Sequence, residues 1–411
     1  MKRIISYLII ASATIAGCTP KDPVIDIADK VFELAVSQYT AMDQSLEEGQ
    51  YPKCTDSEGR LVPSDAGWWC SGFFPGSLWY IYEYTGNEDF RKMAWKYTKG
   101  LDILIDRPTD HDIGFQINCS YGNALRLTGD SAAVVPTYLA AARKLSDRFN
   151  SGAGVIRSWD WPRNHWRYPV IIDNMMNLEL LTKASRISGD KNMADVANTH
   201  AVTTMNNHFR PNWTTWHLLD YDVETGGVRY KETVQGYAHE SAWARGQAWA
   251  LYGFTMMYRE TGDKRYLNVA ENVGKMLMDK LPEDGIPYWD LNAPGTPEAL
   301  DASAPGSTMN DNAYTEPVFR DASAGAIMAS AFIELSTLSE DSEASEAYLE
   351  TARRQLMTFG TEEYLAGPGE NANFILKHSV GSIPGNSEVD VPLSYADYYF
   401  LEALIRYTQL D

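Results

Sequence analysis

The chain has 411 residues, 44% of them hydrophobic and 22% charged, a composition that supports a large core and excludes general disorder. Its formal net charge of −20 argues against a nucleic-acid partner, because that kind of binding depends on Lys and Arg neutralising phosphates. The same charge repels an acidic ligand at long range, so local cations have to compensate wherever one binds.

At the start of the chain, Lys2 and Arg3 precede an apolar run from Ile4 to Ile15, and Ile15-Ala16-Gly17-Cys18 offers a small-residue cleavage site. Residues 1–17 therefore read as a targeting segment and are set aside from the fold. The run is shorter than the ~20 residues that a membrane span needs. It resembles a bacterial lipoprotein signal, in which Cys18 becomes the lipidated first residue; the alternative is an ordinary secretory signal with a chance cysteine. The expected layout is a signal over 1–17, a short tether over 18–23 and a single domain over 24–411. Membrane contact is expected only through a lipid on Cys18, at the periplasmic face of a bacterial envelope or at the cell surface. Cys54, Cys70 and Cys119 remain after export, enough for one disulfide and an odd thiol, and their spacing suggests no metal site.

Downstream, an internal repeat organises the chain. An apolar, aromatic helix ends in a Thr/Ser-Gly-Asp/Asn turn, and an amphipathic helix follows. The turns are Thr85-Gly86-Asn87, Thr128-Gly129-Asp130, Ser188-Gly189-Asp190 and Thr261-Gly262-Asp263, with a degenerate fifth at Ser339-Glu340-Asp341. Gly just past a helix supplies a left-handed cap, and the following Asp or Asn caps the next helix. Helices after the turns, over 90–101, 132–149, 266–277 and 347–359, place apolar residues three and four apart. Helices before the turns, and one near the C-terminus, fall at 76–84, 121–127, 175–187, 246–258, 324–335 and 393–407. These are apolar or small nearly all round, as helices buried on several sides are. Inner helices alternating with outer ones predict an all-α fold, a closed (α/α)6 barrel, in which 24–42 supplies the remaining outer helix. An open solenoid is the competing arrangement.

In such a barrel the inner helices all run one way, so their N-terminal ends gather at one mouth. Partial positive charge and free N–H groups there favour an anionic ligand. His111-Asp112 precede the second inner helix, Ile171-Ile172-Asp173-Asn174 the third, and Trp243-Ala244-Arg245-Gly246-Gln247-Ala248-Trp249 open the fourth. Asp112 and Asp173 each have an ordinary explanation as helix N-caps. The apolar setting of Asp173, between Ile171-Ile172 and Met175-Met176, is expected to raise its pKa, and a second carboxylate nearby to raise it further. A carboxyl kept protonated near neutral pH is what general-acid chemistry needs. Arg245 and Trp249 are four apart and share a helix face, which suits a sugar carboxylate beside a stacked ring. The competing reading is a structural Arg paired with an Asp. Alone, His217 reads as a satisfied loop histidine and Gln235 as an ordinary loop residue.

Taken in order, these stretches resemble the unsaturated glucuronyl hydrolases, glycoside hydrolase family 88, over nearly all of the chain beyond the targeting segment. The resemblance rests on Gly72-Phe73-Phe74-Pro75-Gly76, Tyr82-Glu83-Tyr84-Thr85-Gly86, His111-Asp112-Ile113-Gly114-Phe115 and Ile171-Ile172-Asp173-Asn174-Met175-Met176-Asn177. It continues through the Trp243–Trp249 stretch, Pro287-Tyr288-Trp289-Asp290, Arg320-Asp321-Ala322-Ser323-Ala324 and Tyr395-Ala396-Asp397-Tyr398-Tyr399. It implies an (α/α)6 barrel that removes a terminal 4,5-unsaturated uronic acid from oligosaccharides left by an upstream polysaccharide lyase. The reaction it implies is hydration of the C4=C5 vinyl ether in place of attack at the anomeric carbon, so the carboxyl-separation rule of ordinary glycosidases does not apply. By the same resemblance Asp173 is the general acid and Asp112 the second essential carboxylate, which keeps the acid's pKa high. His111, His217, Gln235, Arg245 and Trp249 match substrate-binding positions, Trp69 a wall of the sugar pocket, and Trp159 or the nearby Trp161 another. The loop Lys377-His378-Ser379-Val380-Gly381-Ser382 resembles the family's C-terminal lip. No metal or organic cofactor is suggested. The rival readings are a pectin-type unsaturated rhamnogalacturonyl hydrolase, a lipid-anchored glycan-binding protein without catalysis, and an inverting glucosidase on the same kind of barrel.

Overall fold

The structure, a computed structural model, describes residues 22–160, 165–301, 308–313 and 318–410. The targeting segment, Cys18 and Trp161 lie outside the described residues. An outer helix, α1 (Pro23–Ser45), is followed by α2 (Phe73–Thr85) inside and α3 (Glu88–Gly100) outside. The next inner helix is interrupted: α4 (Ile113–Ile117) passes through one wide π turn over Asn118–Gly122 into α5 (Asn123–Thr128), with α6 (Ser131–Ser146) outside it. Then come α7 (Asn174–Ser188) with α8 (Lys191–Asn207), and α9 (Ala244–Thr261) with α10 (Lys264–Lys280). The series ends with α11 (Ala322–Leu338), α12 (Ser342–Phe359) and the inner α13 (Ser394–Thr408). Helix α13 packs on both α11 and α2, and α1 packs against α12, α13 and α2, so the ring closes. The open solenoid is thereby set aside.

The repeat turns explain the alternation. Gly262 ends α9 at φ 70°, a left-handed conformation that costs glycine little, and Asp263 accepts the Arg265 N–H to start α10. Gly86, Gly129 and Gly189 end their helices in the same way. At the degenerate turn no glycine is present: Ser339 leaves α11 in an extended conformation, and Asp341 alone caps α12 through Glu343 and Ala344. The second inner helix starts eight residues before the expected 121, because Gln116, Asn118 and Asn123 interrupt its apolar pattern. Asn118 donates to Glu179 at 2.8 Å and accepts from the Tyr138 hydroxyl at 2.8 Å, so its polarity is satisfied inside the wall. Midway along the inner helices, Glu402 accepts hydroxyls from Tyr80, Ser330 and Tyr252 at 2.7, 2.6 and 3.2 Å, joining four helices.

Short antiparallel strands gather at the end of the barrel where the inner helices begin, an addition the repeat did not foretell. They are β1 (Tyr51–Thr55) with β2 (Leu61–Ser64), and β3 (Phe149–Asn150) with β4 (Val155–Ile156). A three-stranded sheet joins β5 (Pro169–Ile171), β6 (Leu218–Tyr221) and β7 (Val228–Glu232), and a hairpin pairs β8 (Ser379–Ser382) with β9 (Ser387–Val391). Cys54, Cys70 and Cys119 are buried free thiols, so the possible disulfide among them is not formed. Among the described residues no helix is long and apolar enough to cross a membrane.

Candidate active site

A cavity of about 640 Å³ opens where the inner helices begin. Asp112 and Asp173 both line it, together with Trp69, Trp159, Gln235 and Arg245. The two carboxyls stand just before α4 and α7 but cap neither helix. Their backbones are already helical, at φ/ψ −70/−5° and −54/−27°, whereas a capping side chain needs an extended residue. Asp321 shows the contrast: at −120/94° it caps α11 by accepting the Ser323 N–H at 3.0 Å. The ordinary explanation of Asp112 and Asp173 therefore fails, and both are left for the cavity.

Burial pushes the Asp173 carboxyl up to about 7, against the opposing pull of the Arg245 charge, a backbone N–H and the Trp249 indole. Its Oδ1 is buried without a hydrogen-bond partner. Asp112 is raised well above the usual carboxylate range, first by burial, then by the charges of Asp110 and Asp173. Burial is the larger cause at both carboxyls, and at Asp112 the like charge of Asp173 adds to it.

Each carboxyl has a histidine behind it, not beside it in the cavity. His111 is fully buried, with Nε2 3.4 Å from Asp112. Asn177 accepts the Phe115 N–H through Oδ1 at 2.7 Å, so its amide donates to His111 Nδ1 at 3.2 Å. That assignment leaves the His111 proton on Nε2, facing Asp112. Burial holds the His111 pKa well below its ordinary value, so the ring is neutral. His217 repeats the arrangement: Nδ1 accepts the Val234 N–H at 3.2 Å, and Nε2 faces Asp173 at 3.8 Å. The β5–β6 pairing, with Ile171 opposite Leu218, brings His217 and Asp173 together from distant sequence.

Arg245 and Trp249 do not form the expected pair. Trp249 is buried against Phe115 and Tyr399, ring centres 5.2 and 5.5 Å away. The Arg245 guanidinium lies instead 4.4 Å over Trp243 and 5.4 Å from the Tyr395 ring centre, and both of those rings line the cavity. It is also the structural Arg of the competing reading, donating to Asp321 at 3.1 Å, to Gly381 O at 2.5 Å and to Val380 O. Trp69 packs 4.8 Å from Tyr395, and Trp159 lies 5.9 Å from both Trp166 and His217. Sequence reasoning gave no role to Asn177, Trp243 and Tyr395, although all three lie within the quoted motifs. The lip also proves to be part of the site: Gly381, Ser382 and Glu388 of the β8–β9 hairpin line the cavity. Among the described residues no group of three or more His, Cys, Asp or Glu is placed to hold a metal ion.

A helical toroid with two buried carboxyls of raised pKa at its mouth, walled by indoles, defines the class: a glycan-processing hydrolase of the α/α-barrel kind. No family model matches the chain. It is 43% identical over 340 residues to the unsaturated glucuronyl hydrolase of Formosa agariphila, covering 82% of this chain and 79% of that protein. It is 30% identical over 342 residues to the unsaturated chondroitin disaccharide hydrolase of Streptococcus pneumoniae, covering 82% and 81%. The crystal structure of an unsaturated glucuronyl hydrolase specific for heparin superimposes with a TM-score of 0.85 at 43% identity, over 93% of this chain and 97% of that one. The chain belongs to the unsaturated glucuronyl hydrolase family.

Proposed function

We propose that the cavity removes the terminal 4,5-unsaturated uronic acid from acidic oligosaccharides of the glycosaminoglycan type, the products of a polysaccharide lyase. The observation that carries this reading is the pair Asp112 and Asp173, uncapping, raised in pKa and lining one cavity. Asp173 delivers its proton to C4 of the vinyl ether, and positive charge develops at C5, shared with the ring oxygen. Water adds at C5 and returns a proton to the Asp173 carboxylate. The C5–O5 bond of the resulting hemiketal opens to a ketone, and the C1 hemiacetal so formed releases the second sugar. One water is consumed, and the acid is restored. Asp112 orients the sugar hydroxyls, with His111 fixing its position through Nε2. Arg245, set between Trp243 and Tyr395, offers the cationic face for the uronate.

Incubation with lyase-generated disaccharides, followed by loss of the unsaturated-uronate absorbance, tests the reading. Asp173→Asn is expected to lower the rate by about a thousandfold, within the range general-acid groups supply, while leaving the unfolding midpoint near that of the parent. An Asp173→Asn protein with normal turnover would refute the role. Residues 1–18 support export and anchoring by a lipid on Cys18, with the lyase acting upstream in the same envelope. Labelling with radioactive palmitate, lost in Cys18→Ala, checks the anchor.

A further inference from the structure

We infer that Trp68, backed by Lys53 and Glu388, is the platform for the sugar next to the uronic acid, the one the reaction releases; this rests on the hydrolase reading above. Three separate segments meet at the cavity rim: Lys53 from β1, Trp68 from the turn before α2, and Glu388 from β9. Lys53 Nζ lies 4.0 Å from the centre of the Trp68 ring and 3.4 Å from the Glu388 carboxylate. An ammonium over an indole face is held by the ring's quadrupole, so the Lys53–Glu388 pair sets the plane of the indole from one side. Trp68 and Glu388 line the cavity, and Lys53 supports them both without lining it.

Trp68 remains 38% exposed, a large apolar surface that core packing does not account for. The electron-rich face of such a ring suits the C–H groups of a pyranose. Glu388 adds an independent sign of function. Its φ is 57°, a left-handed conformation that side chains rarely adopt, inside a strand. It folds over Gly381, where any Cβ would come within 2.3 Å of the Glu388 carboxylate. Strain of this kind persists where the surroundings hold it, and it gathers at ligand sites. Depth sets the order of the sugars. Asp173 and Arg245 are buried at the floor, while Trp68 and Asp311 stand exposed at the rim, so a uronate on the floor directs its neighbour toward Trp68.

The test measures kcat/KM for two substrates: an unsaturated glucuronyl disaccharide, and the methyl glycoside of the same unsaturated acid, which has no second ring. The ratio of the first to the second is expected to fall about tenfold in Trp68→Ala and to stay within about twofold of the parent in Trp68→Phe. A Trp68→Ala ratio equal to the parent's overturns the platform, and so does a Trp68→Phe ratio as low as that of Trp68→Ala. If Trp68→Ala does not fold, Lys53→Met takes its place. Its ratio is expected to drop about threefold, and an unchanged ratio overturns the inference. A parent protein that consumes neither substrate overturns the hydrolase reading instead.

Discussion

Asp173 sits among Ile171, Ile172, Met175 and Met176, all buried, and the sequence showed that setting directly because the four flank it in the chain. What it did not show was why the carboxyl is available. A lone Asp before a helix reads as a cap, and only the helical backbone angles of Asp112 and Asp173 reveal that neither one is. The histidines were less legible still, since His217 reaches Asp173 through strand pairing rather than through neighbouring sequence. A pH profile follows from the burial of Asp173. With its pKa at about 7, the proton-donating form is populated below that value and lost above it. Log kcat/KM for the disaccharide is therefore expected to fall with unit slope above pH ~7, reporting the free enzyme's acid. In Asp112→Asn the residual rate is expected to keep that limb within about half a unit, because burial is the chief cause of the raised Asp173 pKa. A downward move of a unit or more would show that the Asp112 carboxylate holds the acid's proton.

Helices were the legible elements, because each repeat turn carries its own punctuation: a left-handed glycine, then a capping Asp or Asn. The π turn within the second inner helix was hidden by its polar residues, and the β8–β9 hairpin by its weaker strand: Val389 and Val391 alternate with Glu388 and Asp390, but Ser379-Val380-Gly381-Ser382 offers a single large apolar residue. That hairpin is held by a clamp centred on Val380. Arg245 donates to the Val380 and Gly381 carbonyls, Asp321 accepts the Val380 N–H at 3.2 Å, and Ala322 donates to His378 O at 2.9 Å. Arg245→Ala removes one side of the clamp and leaves Asp321 buried without its counter-ion. Breaking a buried pair from one side costs about 3–5 kcal/mol, so a loss of at least ~3 kcal/mol in denaturant unfolding is expected, along with a raised KM. Unfolding indistinguishable from the parent's would mean that Arg245 serves the ligand alone and the hairpin holds itself.

Charge belongs to the whole molecule. A net charge of −20 surrounds a cavity that carries Asp110, Asp112, Asp173, Asp311 and Glu388, and Arg245 is the one cation among its described lining residues. Asp321 already neutralises that Arg, so the converging starts of the inner helices supply the remaining attraction, and it acts only at close range. An anionic disaccharide therefore approaches against the field of the protein and is favoured only once inside. Salt separates the two regimes, because screening with a Debye length of ~10 Å at 0.1 M removes the long-range repulsion while buried contacts persist. Raising ionic strength from ~10 to ~100 mM is expected to increase kcat/KM for a singly charged disaccharide by about two- to threefold, with kcat unchanged. A decrease over that range would show that the attraction from the helix starts and Arg245 reaches well beyond the cavity mouth and outweighs the acidic surface.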